Sequence, residues 1–97
     1  MILRIYHARV HPGQEVEFER LVRADAVPLM KAQPGLLALH LGREMDAPGG
    51  FVIVSVWRDL DALKAYAGEG WRQPLTLHPQ AEVLEEERLE HFLDFET

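Results

Sequence analysis

The sequence predicts an α+β fold in which two helices lie on one face of a four-stranded antiparallel sheet. Two observations support this prediction. Segments rich in β-branched and aromatic residues alternate with segments of helical periodicity in the order βαββαβ. The 97 residues are also enough for one domain, residues 1–97, and for little more. This order is the ferredoxin-like, or split βαβ, arrangement.

The first half of the chain is predicted to form a strand, a helix and a second strand. Residues 2–10 (ILRIYHARV) have the composition of a strand. Residues 12–33 are predicted to be helical, with acidic residues in the first turns, where the helix dipole favours them. Residues 34–45 (PGLLALHLGREM) form the second strand, and the DAPGG sequence at 46–50 predicts a turn.

The second half is predicted to form a strand, a helix and a last strand. Residues 51–57 (FVIVSVW) are the third strand. Asp59 is expected to cap a helix that continues to about Ala67. Gly and Pro interrupt the next segment (GEGWRQPLTLHPQ), which predicts a loop followed by a short helical turn from Pro79. Residues 88–96 (RLEHFLDFE) alternate in polarity and form the fourth strand.

Two of the predicted strands are apolar on both sides. The segments FVIVSV and GLLALHL carry apolar residues at odd and even positions alike. Helices on one face of the sheet leave the other face uncovered, and a large apolar surface indicates a contact. The simplest partner is a second copy of the chain, so we expect a homodimer formed through the sheet faces.

The composition excludes several classes of function. A net charge of -6 argues against nucleic acid as a partner, because phosphate binding needs a basic surface. The chain has no Cys, which excludes thiolate catalysis and zinc–thiolate sites. Its 5 His residues do not form a set of metal ligands, because His7, His40 and His91 lie on different predicted strands. No segment is long enough to span a membrane and no signal peptide is visible, so a cytoplasmic location is expected.

Asp25 is the most unusual residue of the predicted first helix. On a helical wheel it lies within the apolar stripe, whose other members are Phe18, Leu21, Val22, Leu29 and Ala32. A carboxylate held there could face a cavity and act as a general base. It could instead form an ion pair with Arg4, or Pro28 could kink the helix and turn Asp25 towards solvent.

Several aromatic residues are candidates for contact with a planar ligand. Tyr6 and Tyr66 could donate hydrogen bonds to a substrate carbonyl or enolate, or could pack in the core. Trp57 and Trp71 could stack on an aromatic ring, although Trp57, at the end of a strand, also suits the core. Trp71 lies in a loop and suits a pocket wall or lid. The acidic stretch EVLEEERLE is expected to be a solvated surface.

Three motifs carry a resemblance to a known family. They are HPGQEVEFERL after the first strand, QPGLLALHL at the second strand, and VIVSVWRDLDALKAY, which joins the third strand to its helix. With these motifs the chain resembles the antibiotic biosynthesis monooxygenase family of dimeric α+β barrel proteins over most of residues 1–67. The resemblance implies a homodimer with a small-molecule pocket between the sheet and the helices of each subunit.

The resemblance also implies an activity, because the family includes cofactor-independent oxygenases of aromatic substrates and haem-degrading enzymes. In the haem-degrading branch the site contains an Asn, a Trp and a His. Here Tyr6 falls at the Asn position and Tyr66 falls at the Trp position. No His falls at the His position, because the candidate His78 lies beyond Pro74 in the following segment. We therefore expect oxygenation of a small aromatic or quinol-like substrate without cofactor or metal. Haem binding or degradation and a non-catalytic ligand-binding role are the alternatives. The expected catalytic residues are Asp25, Tyr6 and Tyr66, and the expected substrate-binding residues are Trp71, Trp57 and Arg4.

Overall fold

The structure, a computed structural model, describes residues 1–74 and 80–95. Four strands form one antiparallel sheet in the order β2-β3-β1-β4. The strands are β1 (Ile2–Val10), β2 (Leu36–Arg43), β3 (Gly50–Trp57) and β4 (Leu84–Leu93). The helical elements are α1 (Glu15–Leu21), a π-helical turn (Val22–Ala26), α2 (Val27–Lys31), α3 (Leu60–Ala67) and α4 (Gln80–Val83). The predicted ferredoxin-like α+β fold is confirmed, and no helix in the described part is long and apolar enough to cross a membrane.

The alternation of side chains along β3 separates a covered face of the sheet from an uncovered one. Phe51, Ile53 and Trp57 are buried against the helices, and this side is called the helix face below. The intervening residues, Val52, Val54 and Val56, are only partly buried on the opposite side, called the open face. Since strand residues alternate between faces, the neighbouring strands are divided in the same way.

The segment between β1 and β2 is not the regular helix that the sequence predicts. A π-helical turn interrupts it, and the Val27 N–H donates to the Val22 carbonyl five residues back. Pro28 follows directly, has no N–H to donate, and would clash with the carbonyl of the residue four positions earlier in a regular helix. The wider turn accommodates this residue, as π-bulges do elsewhere.

The π-helical turn rotates the buried stripe of this segment. A wheel of 3.6 residues per turn places Asp25 and Leu29 on the buried side. In the structure Met30 is 4% exposed, while Leu29 is 57% exposed. The prediction that Leu29 belongs to the stripe is therefore wrong, because the longer turn moves the stripe onto Ala26 and Met30.

β4 begins at Leu84, four positions before the predicted start at residue 88. Glu82, Glu85 and Glu86 are exposed, as expected for a solvated surface, and two acids of β4 also pair with polar groups of β1. Glu86 accepts a hydrogen bond from Arg9 at 3.1 Å, and Glu90 lies 2.6 Å from the His7 ring. Such cross-strand pairs stabilise a sheet. The predicted helix start at Pro79 lies outside the described residues.

The connection of β3 to α3 agrees with the prediction. The Asp59 carboxylate accepts a hydrogen bond from the Ala62 N–H at 2.8 Å, and α3 ends at Ala67. Ala62 in turn packs on Gly35, where any Cβ would collide with the Ala62 side chain. The Gly of the QPG sequence is thus required for the close approach of α3 to the start of β2.

Candidate active site

A pocket of about 580 Å³, open space at its mouth included, lies between the helix face and the helical elements. The sheet contributes Arg4, Tyr6, Ile53 and Ser55. The helical segment between β1 and β2 contributes Phe18, Val22, Ala26 and Met30. Tyr66 and Pro74 complete the lining. The helical segment therefore forms an apolar wall, whereas Arg4, Tyr6 and Tyr66 supply a guanidinium and two phenol groups elsewhere in the lining.

Tyr6 lies on β1 and is bonded to an acid of β4. Its hydroxyl donates a hydrogen bond of 2.6 Å to Glu87 Oε2. Both residues are partly buried, and both side chains lie on the helix face. A phenol that donates to a carboxylate can still accept a proton at its own oxygen. The pair can therefore pass a proton from a molecule in the pocket to the Glu87 carboxylate.

Arg4 is held in the pocket wall by neutral groups. Its Nη1 donates to the Trp71 carbonyl at 2.8 Å and lies 3.2 Å from His91 Nε2. Because a guanidinium only donates, His91 accepts with Nε2 and carries its proton on Nδ1. Burial lowers the pKa of His91, and the positive charges of Arg4 and Arg72 lower it further. Burial also lowers the pKa of Arg4, although an Arg side chain stays protonated in proteins.

Tyr66 lies on α3 and stacks on Trp57, with ring centroids 5.1 Å apart and planes at 19°. Burial raises the pKa of Tyr66, and the charge of Arg4 only partly opposes this effect. The hydroxyl therefore stays protonated at neutral pH and can donate a hydrogen bond to a ligand.

Trp57 supports this wall of the pocket from behind. It is 0% exposed, and its Nε1–H donates to the Ser55 hydroxyl at 2.9 Å. It does not line the pocket, so the prediction that Trp57 contacts the substrate is wrong. The reason is geometric: the last residue of β3 points into the core beneath α3, where Tyr66 covers it.

Trp71 lies at the edge of the site, with its side chain outside the described lining. Its ring packs edge-on against His91 at 4.9 Å, and the Arg72 guanidinium lies 4.3 Å from its centroid. What the structure shows is a positioning role, because the Trp71 backbone carbonyl holds Arg4.

Asp25 does not belong to the site. The residue is exposed, does not line the pocket and forms no ion pair with Arg4 in the part of the chain described. The predictions of a cavity base and of a buried ion pair are therefore both wrong. Of the alternatives, exposure to solvent is correct, and it results from the π-helical turn that precedes Pro28.

Two polar residues of β4 near the site were missed by the sequence analysis. Glu87 and His91 both lie on the helix face, four positions apart. A strand that starts at residue 88 excludes Glu87. Glu87 also lies within an acidic stretch that the sequence predicts to be a solvated surface. An earlier start of the strand would have included Glu87 in it, whereas His91 already lies within the predicted residues 88–96. No group of three metal-binding side chains is present in residues 1–74 and 80–95, and His78 lies outside them.

The family model described as antibiotic biosynthesis monooxygenase matches residues 1–73, which is most of the chain. No curated protein matches the sequence.

Solved structures with the same fold include three informative examples. SnoaB, a cofactor-independent oxygenase from Streptomyces nogalater, is 26% identical, with a TM-score of 0.74 over 99% of this chain and 94% of that protein. A protein from Bordetella bronchiseptica is 27% identical, with a TM-score of 0.72 over 97% and 96%. A protein from Caulobacter crescentus reaches a TM-score of 0.81 over 98% and 90%, and its 19% identity indicates the fold alone.

Proposed function

We propose, because this chain belongs to the antibiotic biosynthesis monooxygenase family, that it is a cofactor-independent monooxygenase of a small aromatic or quinol-like substrate. The observation that carries the proposal is the hydrogen bond from Tyr6, which lines the pocket, to the Glu87 carboxylate of β4. The likeness to SnoaB, a cofactor-independent oxygenase, supports the same reaction class.

The two sides of the pocket suit a flat ring with a polar edge. Phe18, Val22 and Met30 offer apolar surface to the ring. Tyr6 and Tyr66 present hydroxyl groups to an oxygen atom on its edge. Aromatic surfaces bind by burial, while a few placed polar groups fix the orientation.

The first chemical step is removal of a proton. An enol or phenol O–H of the substrate donates to the Tyr6 oxygen while the Tyr6 hydroxyl gives its own proton to Glu87. The resulting ring anion is rich in electrons and reduces O2 directly. Tyr66 stabilises the anion by donating a hydrogen bond where the negative charge develops.

The oxygen balance is simple for an anthrone-like substrate. The ring methylene loses two C–H bonds and becomes a carbonyl, which releases four electrons. O2 accepts all four: one oxygen atom enters the carbonyl, and the other leaves as water with the two protons. The protein supplies binding, proton transfer and electrostatic stabilisation, and the substrate itself supplies the electrons.

We also propose a homodimer formed through the open face. Leu3 of β1 lies opposite Val56 and Phe92 on its two neighbouring strands, and Ile5 lies opposite Val54. Phe92 is 47% exposed, although it belongs to this apolar patch. A second copy would cover the patch, and a stable interface would bury more than about 1,000 Å². Sedimentation velocity is expected to show a dimer that Val54→Asp dissociates, whereas Val16→Asp, on the exposed surface of α1, leaves it intact.

The activity is tested with an oxygen electrode. Purified protein freed of metals with a chelator is mixed with an anthrone or a naphthoquinol, and the uncatalysed oxidation is subtracted. We expect saturable O2 uptake that Glu87→Gln nearly abolishes. Uptake that is the same with wild-type protein, with the variant and without protein would contradict the proposal.

A further inference from the structure

The positive charge of Arg4 is not neutralised within the described part of the chain. The residue is partly buried in the pocket wall, and its contacts are a backbone carbonyl and a neutral imidazole. Buried charges in proteins are normally paired with an opposite charge. Of the two acids considered for this site, Glu87 is bonded to Tyr6, and Asp25 lies on the outer surface. A cation in this position indicates a negatively charged ligand.

The hydrogen bonds of Arg4 show where such a ligand would bind. Nη1 makes both contacts, to Trp71 and to His91. Nε and Nη2 have no acceptor among residues 1–74 and 80–95. A guanidinium whose Nη1 is held by the protein keeps one planar pair of donors for a carboxylate, which binds such a pair with both oxygens.

The position of Arg4 relative to Tyr6 limits the shape of the ligand. The two residues lie two positions apart on β1 and both line the pocket. A strand rises about 3.3 Å per residue, so their backbone positions are about 7 Å apart. This is about the distance between opposite substituents of an aromatic ring. One end of a planar molecule can therefore bind Arg4 while its ring oxygen lies at Tyr6.

We propose that the substrate is an aromatic carboxylic acid whose carboxylate binds Arg4 and whose ring hydroxyl or enolisable carbonyl faces Tyr6. This inference rests on the proposed function for the role of Tyr6, and it adds the class of substrate. A neutral ring of the same size would leave the charge of Arg4 in the pocket without a partner, so it would bind less tightly.

Binding of two matched probes tests the inference without any turnover. Naphthoate and naphthamide have the same ring and nearly the same shape, but only the first is charged. Titration calorimetry with wild-type protein is expected to show at least about tenfold tighter binding of naphthoate, as for a hydrogen bond between charged groups. Arg4→Met should remove this preference. Arg4→Lys should reduce it, because Lys keeps the charge but not the planar pair of donors.

Arg9→Met is the control, because Arg9 is also on β1 but points away from the pocket and pairs with Glu86. This variant should keep the preference for naphthoate. Equal affinity of wild-type protein for the two probes, no binding of either, or a preference that survives Arg4→Met would overturn the inference. Circular dichroism shows whether Arg4→Met folds. If it does not, the inference is overturned when Arg4→Lys prefers naphthoate as strongly as wild-type protein does.

The outcome is independent of the oxygenase activity. Preferential binding of naphthoate without O2 uptake on any hydroxynaphthoate would leave the anion site in place and contradict the proposed function. Rapid O2 uptake with a neutral anthrone, together with equal binding of both probes, would support the proposed function and contradict the anion site at Arg4.

Discussion

The Tyr6 hydroxyl donates a 2.6 Å hydrogen bond to the Glu87 carboxylate and joins the first strand of the sheet to the last at the wall of the pocket. The two residues come from opposite ends of the chain, and the antiparallel pairing of β1 with β4 brings them together. In the proposed mechanism this bond makes Glu87 a base that acts through the Tyr6 phenol. The same pairing places Arg4 beside His91, so one strand pair supplies both the proton acceptor and the cation.

Removing the acid should impair catalysis more than folding. Glu87→Gln keeps the size and polarity of the side chain but cannot take up a proton, so kcat should fall about 100-fold or more. Tyr6→Phe should have a similar effect, because it breaks the path to Glu87. Glu86→Gln, at the neighbouring position paired with Arg9, is the control and should retain normal kcat. Equal losses in the two Glu variants would assign the effect to the charge of β4 in general.

The π-helical turn can be tested by a pair of truncations at adjacent positions. Met30 is buried and lines the pocket, so Met30→Ala should lower the free energy of unfolding by about 2–4 kcal/mol. Leu29 is exposed, so Leu29→Ala should change it by less than about 1 kcal/mol. Chemical denaturation measures both. The opposite ranking would indicate a regular helix with the buried stripe that the sequence predicts.

Replacing Asp25 should have almost no effect. Because its side chain is exposed and does not line the pocket, Asp25→Asn should leave kcat unchanged and the free energy of unfolding within about 0.5 kcal/mol. A large loss of O2 uptake in a folded Asp25→Asn protein would restore this residue as the base.

The environment of His91 predicts a loss of stability in mild acid. Its pKa in the folded protein is lowered by burial and by Arg4 and Arg72, while in the unfolded chain it is near 6.5. As the pH falls below that value, the unfolded chain takes up a proton that the folded protein still excludes, so the free energy of unfolding decreases. His91→Gln keeps an acceptor for Arg4 but does not titrate, and its stability should fall less between pH 7 and pH 5.5. Identical pH profiles for the two proteins would contradict this account.

The sequence predicted those parts of the structure that depend on local signals. Asp59 was recognised as a helix cap because a carboxylate three residues before a backbone N–H is sufficient for that role. The order of the elements was recognised from equally local signals, and it determined the fold class. Tyr6 and Tyr66 were placed at the pocket by the family resemblance, and the structure does place both in its lining.

The errors have one local and one long-range cause. Asp25 was misplaced because a regular helical period was assumed where Pro28 requires a wider turn. Glu87 was missed because its role depends on the register of β4 against β1, which no single segment encodes. Trp57 was kept as a substrate-binding candidate because an aromatic residue at the end of a strand can also reach a pocket, although its core position was the favoured alternative.

The central claim is that this pocket catalyses monooxygenation through Tyr6 and Glu87, and labelled oxygen tests it most directly. Metal-free protein is incubated with an anthrone under oxygen-18 gas, and the product is analysed by mass spectrometry for early time points. We predict that wild-type protein places one labelled oxygen atom in each new carbonyl, at a rate well above the uncatalysed reaction. Tyr6→Phe and Glu87→Gln should approach the uncatalysed rate. Labelled product formed equally fast by the folded variants and wild type would contradict the claim.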